Sequence, residues 1–345
     1  MKGIAILLLL VSAKPGLCQQ PPDVVVTKIW DDGQHNAFTD LIRFKGKFYC
    51  SFREGASHVP RGAGTDGKVR IIRSADGKNW ESVAVLAKEG VDLRDPKLSV
   101  TPSGQLMVMM GGSIYEGSQL KGFAPRVSFS DKTGMHFSPP EDVVFEDGSK
   151  ASGSWIWRVT WHHGVGYGID YGVGAGESNA ASALWLVSTT DGKQFKRVST
   201  LDLDGSPNEA TIRFHKDGTM HVLIRREAGD RKAVMATSRA PFTSWAYEKL
   251  AHPLGGPNFL FDRKQRLVVG GRLHEPEAYT AILTGDTATG LEEAVHLPSK
   301  GDNSYPGMAI HKNKLWFSYY SSHEGKTSIY FTTIPLRQLF ERMIQ

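Results

Sequence analysis

Apolar, β-branched and aromatic residues alternate with polar ones in short runs, and the runs come in pairs around polar turns. Six such hairpin signals follow one another along the chain. They are Leu41 to Phe52 around Lys45-Gly46-Lys47, Lys97 to Met110 around Thr101 to Gly104, and Trp155 to Tyr167 around His162 to Gly164. The other three are Thr211 to Ile224 around His215 to Gly218, Pro257 to Gly270 around Asp262 to Gln265, and Gly307 to Tyr319 around His311 to Lys314. Successive turns lie roughly 50 to 60 residues apart, the self-similarity of a repeat architecture. Most hairpins are followed by a second strand pair, as in Val69 to Arg73 with Glu81 to Leu86, and Ala183 to Ser188 with Lys196 to Leu201. An inner hairpin plus an outer pair makes a four-stranded blade, so the pattern predicts an all-β fold, a six-bladed β-propeller. No helical period with caps persists in the interior, which argues against a Rossmann or barrel fold. A β-sandwich would not need six spaced hairpins. The strand Val24 to Trp30 has no partner of its own, and the last blade, at Thr327 to Ile334, lacks an outer strand. Pairing the two would close the ring and hide its edges. Residues 335–345 read as a short terminal helix.

The first 20 residues follow a different pattern. Lys2 supplies a positive start, Ile4 to Ala13 a short apolar run, and Gly16 and Cys18 the small residues of a cleavage site. The run is too short to span a bilayer, and bulky Leu17 disfavours a lipid anchor at Cys18. The expectation is export to a secreted or periplasmic location, with one domain over residues 21–345 and no transmembrane segment. Cys50 is then the remaining cysteine and forms no internal disulfide. Its setting, Phe48-Tyr49-Cys50-Ser51-Phe52, makes it a core thiol rather than a nucleophile. The net charge of +5 fits an anionic ligand. The basic residues are dispersed, without the aromatic interleaving of a nucleic-acid surface, so no nucleic-acid partner is expected.

Two turns carry a repeated signature, Ser74-Ala75-Asp76-Gly77-Lys78-Asn79-Trp80 and Thr189-Thr190-Asp191-Gly192-Lys193-Gln194-Phe195. A degenerate third spans Ser130 to Phe137. An Asp side chain can tie up turn N–H groups, Gly takes a positive φ, and the aromatic packs back between sheets. The signature resembles the Asp-box of sialidase-type propellers, one residue shorter than its usual form. These aspartates are structural on that reading.

In a propeller the inner strands converge on the axis, so a site is assembled from distant pieces of chain. Arg53, Arg94, Arg158, Arg225 and Arg272 each fall at or near an inner-strand end in a different blade. With their surroundings they resemble the sialidases, a family that binds its substrate's carboxylate with three arginines. Arg53, in Phe-Arg-Glu-Gly, resembles the first of these, although the family usually has Phe-Arg-Ile-Pro. Glu209 and Arg225, sixteen residues apart across an Asp-Gly turn, match the family's glutamate–arginine spacing. Arg272, in Gly-Gly-Arg-Leu-His, looks like the third arginine. Tyr305, in Asp-Asn-Ser-Tyr-Pro-Gly, looks like the nucleophile, and Asp66, ahead of the first Asp-box, like the acid/base. The resemblance implies an exo-glycosidase acting on terminal α-keto acid sugars, with catalytic Tyr305, Glu209 and Asp66.

The chemistry is coherent in itself. Arginine forks bind a carboxylate bidentately and fix its orientation. A neutral phenol can approach an anomeric carbon that bears a carboxylate without like-charge repulsion, but it needs a base to take its proton. Asp95, in Arg94-Asp95-Pro96, reads as an alternative acid or as a partner that orients Arg53 or Arg94. His58 shares a loop with Asp66 and can contact substrate, as can Arg94 and Arg158. Trp155 and Trp157 read as core packing ahead of a sugar platform. His162-His163 lacks metal-ligand partners, and neither metal nor cofactor is expected. Two other readings fit the same residues: a uronic-acid-directed propeller glycosidase or lyase, and a non-catalytic carbohydrate-binding propeller.

Overall fold

The six polar turns are hairpin turns of two kinds. Three put two successive residues at positive φ: Lys45-Gly46, His163-Gly164 and Lys312-Asn313. This is the turn whose twist matches that of the flanking strands. The other three are longer and end on Gly104, Gly218 and Gln265, each also at positive φ. The computed structural model describes residues 24–33, 35–62, 64–172, 184–286 and 290–341. The expected targeting segment, residues 1–20, lies outside the described residues, as do residues 342–345 of the expected terminal helix. The part of that helix within them runs Leu336–Phe340.

The strands form six sheets of propeller type, antiparallel except where the short strand Val144–Phe145 pairs in parallel with the outer strand of the third. The first blade runs outward as His35–Phe44, Lys47–Gly55, Lys68–Ser74 and Glu81–Leu86, and the second as Asp92–Val100, Leu106–Glu116, Gln119–Phe129 and Glu141–Asp142. In the third, the innermost strand is split into Ser154–Ile156 and Thr160–His162, followed by Val165–Gly172, Leu184–Thr189 and Gln194–Leu201. The fourth is Pro207–Phe214, Met220–Arg226, Val234–Ser238 and Ala246–Lys249, and the fifth Gly255–Phe261, Leu267–Leu273, Tyr279–Asp286 and Gly290–His296. The sixth is Asn303–His311, Lys314–Ser321 and Ser328–Pro335, with Val26–Trp30 as its outer strand. The chain's first described strand thus pairs with its last, which closes the ring as the sequence predicts.

Side chains on the innermost strands stitch each blade to the next around a full circuit. Leu98 N donates to Asp40 Oδ2 (2.7 Å), Trp161 Nε1 to Ser99 Oγ (3.2 Å) and Thr160 Oγ1 to the Ile212 carbonyl (2.7 Å). Thr211 Oγ1 donates to the Pro257 carbonyl (2.8 Å), Asn258 Nδ2 to the Pro306 carbonyl (3.0 Å) and Gly307 N to Thr39 Oγ1 (3.2 Å). Neighbouring blades cannot share a sheet ladder, so these polar side chains satisfy backbone groups buried near the axis.

The Asp-boxes are structural. Asp76 Oδ1 accepts from Lys78 N (2.8 Å) and Asn79 N (3.0 Å), and Asp191 Oδ1 from Lys193 N (2.8 Å) and Gln194 N (2.9 Å). In the degenerate copy Asp131 Oδ1 accepts from Thr133 N (3.0 Å) and Met135 N (3.1 Å). Each box turn presses on the preceding blade: Gly77 on Trp316 and Phe331, Gly134 on Tyr49 and Phe44, and Gly192 on Met107 and Phe129. Cys50 is buried, and burial pushes its thiol up to about 12, which leaves it inert.

Arg53 is also part of the framework. Both it and Asp92 are 0% exposed, and Asp92 Oδ1 accepts from Arg53 Nε (3.0 Å), Arg53 Nη2 (2.6 Å) and Gly67 N (2.5 Å). The pair ties the first blade to the start of the second.

Two stability measurements test this packing. At Gly77 (φ +77°) an added Cβ would lie 2.7 Å from Trp316, so Gly77→Ala should cost about 1–3 kcal/mol in denaturant unfolding; an unchanged midpoint would contradict the box–blade contact. Arg53→Ala strands the Asp92 charge and should cost about 3–5 kcal/mol. An Arg53→Ala protein of native stability would contradict this framework role.

Candidate functional site

Five innermost strands carry the same irregularity. Opposite one residue of the second strand stand two on the first: Phe38-Thr39, Asp95-Pro96, Asn208-Glu209, Gly256-Pro257 and Tyr305-Pro306. In the third blade the break at Trp157–Val159 takes the equivalent place. These are β-bulges, which re-aim side chains at the rim of a closed sheet. Phe38 (φ 64°), Asp95 (51°), Gly256 (57°) and Tyr305 (47°) adopt a left-handed backbone there. Three of the pairs end in proline, which has no N–H to lose from the interrupted ladder.

The bulges converge on Tyr305. Its ring lies 5.3 Å from that of Phe38 and 5.8 Å from that of Trp157, and a Cβ on Gly256 would fall 2.7 Å from it. The Tyr305 hydroxyl donates a short hydrogen bond to Glu209 Oε1. Glu209 Oε2 accepts from Arg225 Nη1 (2.8 Å) and from Gly256 N (3.0 Å), and Arg225 Nη1 stands 3.0 Å from the phenol oxygen. Burial, and after it the charge of Glu209, pushes the phenol well above its ordinary value, while Arg225 and Arg272 pull the other way. The free protein therefore holds a neutral phenol against an acceptor that can take its proton.

Three guanidinium groups surround this pair. Arg225 touches it directly, and its other arm pairs with Glu227. Arg272 lies 5.6 Å from the Tyr305 ring centre, with Nε bonded to the Asn303 carbonyl (3.0 Å) and Nη2 to Tyr320 (3.3 Å). Arg94 lies 5.1 Å over the Phe38 ring and donates to the Tyr115 hydroxyl (3.1 Å). The charges of Arg94, Arg225 and Arg272 all interact with Tyr305. Arg53 does not reach this cluster, because Asp92 and the Ser57 carbonyl (2.8 Å) occupy its guanidinium. Arg158 is buried beneath it and donates to Asp40 Oδ2 (2.6 Å). The expected trio with Arg53 is replaced by one with Arg94.

The acidic candidates separate. Asp95 is buried in its bulge, 3.6 Å from Arg94 Nε, and burial raises its carboxyl against the pull of Arg94 and Lys97; it also feels Glu209. Asp92, not Asp95, holds Arg53. Asp66 lies in a recess shared with Gly64, Lys68, Val91 and Tyr115, the last of which accepts from Arg94. Burial and then the charge of Asp92 raise it, opposed by Arg53. Trp155 packs on Phe123 and Gly111, whereas Trp157 lines the Tyr305 floor.

Several residues of the cluster escape a sequence reading. Lys97 is buried with its ammonium 4.5 Å from the Trp157 ring and 5.7 Å from the Tyr305 ring. Asp302 gathers four partners: His58 Nδ1 (2.7 Å) and His35 Nε2 (2.9 Å) on Oδ2, and the Tyr320 hydroxyl (2.8 Å) and Arg272 Nη2 (3.6 Å) on Oδ1. Their proximity to Arg94 and Tyr305 in sequence is the one clue available beforehand. His35, His58 and Asp302 have ligand atoms within 4.8 Å of one another. Both imidazoles already bond one carboxylate oxygen, and Arg272 and Arg94 stand beside the group, so an added cation would meet repulsion.

No protein-family profile and no curated sequence matches the chain. Solved structures do match in shape. A protein of unknown function from Dyadobacter fermentans superposes with a TM-score of 0.74 at 18% identity, over 90% of this chain and 99% of that one. A sialidase of Trypanosoma rangeli, in complex with the inhibitor DANA, gives 0.66 at 11% identity over 90% and 57%. The Hadza microbial sialidase Hz136 gives 0.68 at 13% over 88% and 66%. The chain thus spans little more than half of the trypanosomal enzyme. With its six blades around the Tyr305 cluster, this chain has the β-propeller fold of the sialidases.

Proposed function

We propose that the protein is a retaining exo-glycosidase that releases a terminal α-keto acid sugar, sialic acid or a related ulosonic acid, from glycans. The observation that carries the reading is the Tyr305–Glu209–Arg225 cluster, a neutral phenol bonded to a carboxyl group that an arginine also bonds. A buried tyrosine at left-handed φ, aimed by a bulge at a glutamate, is costly to maintain for packing alone. The carboxylate of the sugar lies against Arg225, Arg272 and Arg94. The Tyr305 oxygen attacks the anomeric carbon while its proton passes to Glu209, and the leaving oxygen departs with a proton from an acid on the rim. Water then releases the sugar from tyrosine with the proton movements reversed. Lys97 and the three guanidinium groups offset the negative charge of substrate and of the departing group. The neighbouring sialidase folds add support of a coarser kind, and export rests on the pattern of residues 1–20.

Two measurements test the reading. Tyr305→Phe should lower turnover of a 4-methylumbelliferyl α-ketoside of sialic acid by more than about 10³-fold while sialic acid still binds. Unchanged turnover would remove Tyr305 from the chemistry. The second measurement uses Lys97, whose ammonium burial pushes down to about 8, with Asp95 opposing. Above that pH the site loses a positive charge, so the Kd for sialic acid should rise several-fold between pH 7 and pH 9. Lys97→Met should show no such rise; a rise of the same size in that variant would exclude Lys97 as its source. For folding the sign is opposite: the unfolded chain keeps this proton up to about 10.5, so this group adds stability as pH rises from about 8.

A further inference from the structure

We infer that His58 is the acid/base that serves the leaving group, positioned by Asp302; the inference rests on the glycosidase reading above. Asp302, from the sixth blade, stands three residues before Tyr305 in sequence, and His58 is carried on the segment after the first blade's second strand. His58 Nδ1 lies 2.7 Å from Asp302 Oδ2, and its Nε2 faces Arg94 Nη2 at 3.5 Å. The side chain is 50% exposed, and its ring stands edge-on to Phe38 at 5.3 Å, which in turn stands against Tyr305 at 5.3 Å. With Nδ1–H donated to the carboxylate, Nε2 is the nitrogen left to exchange a proton. Arg53 supports the segment, because its Nη1 bonds the carbonyl of Ser57, the residue before His58.

Two imidazoles share the Asp302 oxygen, and they differ in burial. His35 is 7% exposed, and burial lowers it despite its bond to Asp302, so it is neutral and donates from Nε2. Burial opposes the Asp302 charge too, yet hydrogen bonds from His35 and His58, then the charge of His58, hold this carboxyl well below the carboxylate range. Asp302 is thus a fixed anion, and His58 is the more exposed of the two imidazoles on it, with an Nε2 that the carboxylate does not occupy. The charged groups facing His58 are Asp302, Arg94, Asp95 and the His35 ring. A substrate carboxylate drawn against Arg94 offsets the guanidinium that faces His58 Nε2. Asp66, by contrast, interacts with Arg53 and Asp92 in its own recess.

The steps balance. His58 Nε2–H gives its proton to the glycosidic oxygen as the Tyr305 oxygen bonds the anomeric carbon, that carbon's bond to the leaving oxygen breaks, and Glu209 takes the phenol proton. In the second half neutral His58 takes a proton from the attacking water, the carbon–tyrosine bond breaks, and Glu209 returns its proton to the phenolate.

The experiment compares methyl and 4-methylumbelliferyl α-ketosides of sialic acid with the full-length protein, His58→Gln and Asp66→Asn. The methyl leaving group needs protonation and the umbelliferyl one largely does not. His58→Gln should lose about 10²–10⁴-fold in kcat/KM on the methyl ketoside and less than about tenfold on the activated one. Azide, which needs no general base, should restore turnover of the activated substrate and yield a glycosyl azide. Equal losses of His58→Gln on both substrates would overturn the inference, as would the leaving-group dependence appearing in Asp66→Asn instead. Loss of wild-type activity with a chelator, restored by zinc, would also overturn it, by making the histidine pair metal ligands. A wild-type protein that cleaves neither ketoside would bring down the glycosidase reading itself, and this role with it.

Discussion

One constraint organises the site: the two-for-one bulge repeated in the innermost strand of the blades. Without it, strict alternation would send every second side chain into a blade–blade interface, and the axis would be lined by an ordinary polar pattern. With it, Phe38, Asp95, Glu209, Gly256 and Tyr305 are turned toward one place. The strain of a left-handed backbone at three non-glycine positions there is held by the circuit of hydrogen bonds just below, in which Thr39, Pro257 and Pro306 all take part. The device that shapes the site and the device that closes the ring are therefore the same few residues on each strand.

The second organising feature is charge. Arginines serve two purposes here, and burial separates them. Arg53 and Arg158 are enclosed and paired with Asp92 and Asp40, so their role is to hold blades together. Arg94, Arg225 and Arg272 keep part of their guanidinium groups uncovered and surround the phenol. Each of the three also meets a carboxylate, Arg94 at Asp92 and Asp95, Arg225 at Glu209 and Glu227, and Arg272 at Asp302, so the neutral tyrosine sits within a network of opposed charges. Asp302 links these arginines to the histidines of the first blade, so the Tyr305 cluster and the rim share one anchor.

Much of this was legible in the sequence because repetition carries its own signal. The six turns, the strand pairs, the Asp-boxes and the lone outer strand at the N-terminal side follow from local patterning, and local patterning decides strand, turn and register. The Glu209–Arg225 spacing and the Tyr305-Pro306 dipeptide are likewise local, since each lies within one hairpin. The role of Arg53 was misjudged for the opposite reason: its partner Asp92 is 39 residues away in another blade, and nothing in Phe-Arg-Glu-Gly announces it. Asp302, Lys97 and Phe38 were overlooked on the same grounds.

The sequence alone determined the architecture, the order of the blades and which residue types were available for chemistry, because those depend on neighbours along the chain. Which arginines face the Tyr305 cluster, and that Asp302 joins His35 and His58 beside it, were decided only by ring closure. Burial and long-range pairing set those outcomes, and both are properties of where six distant strands meet.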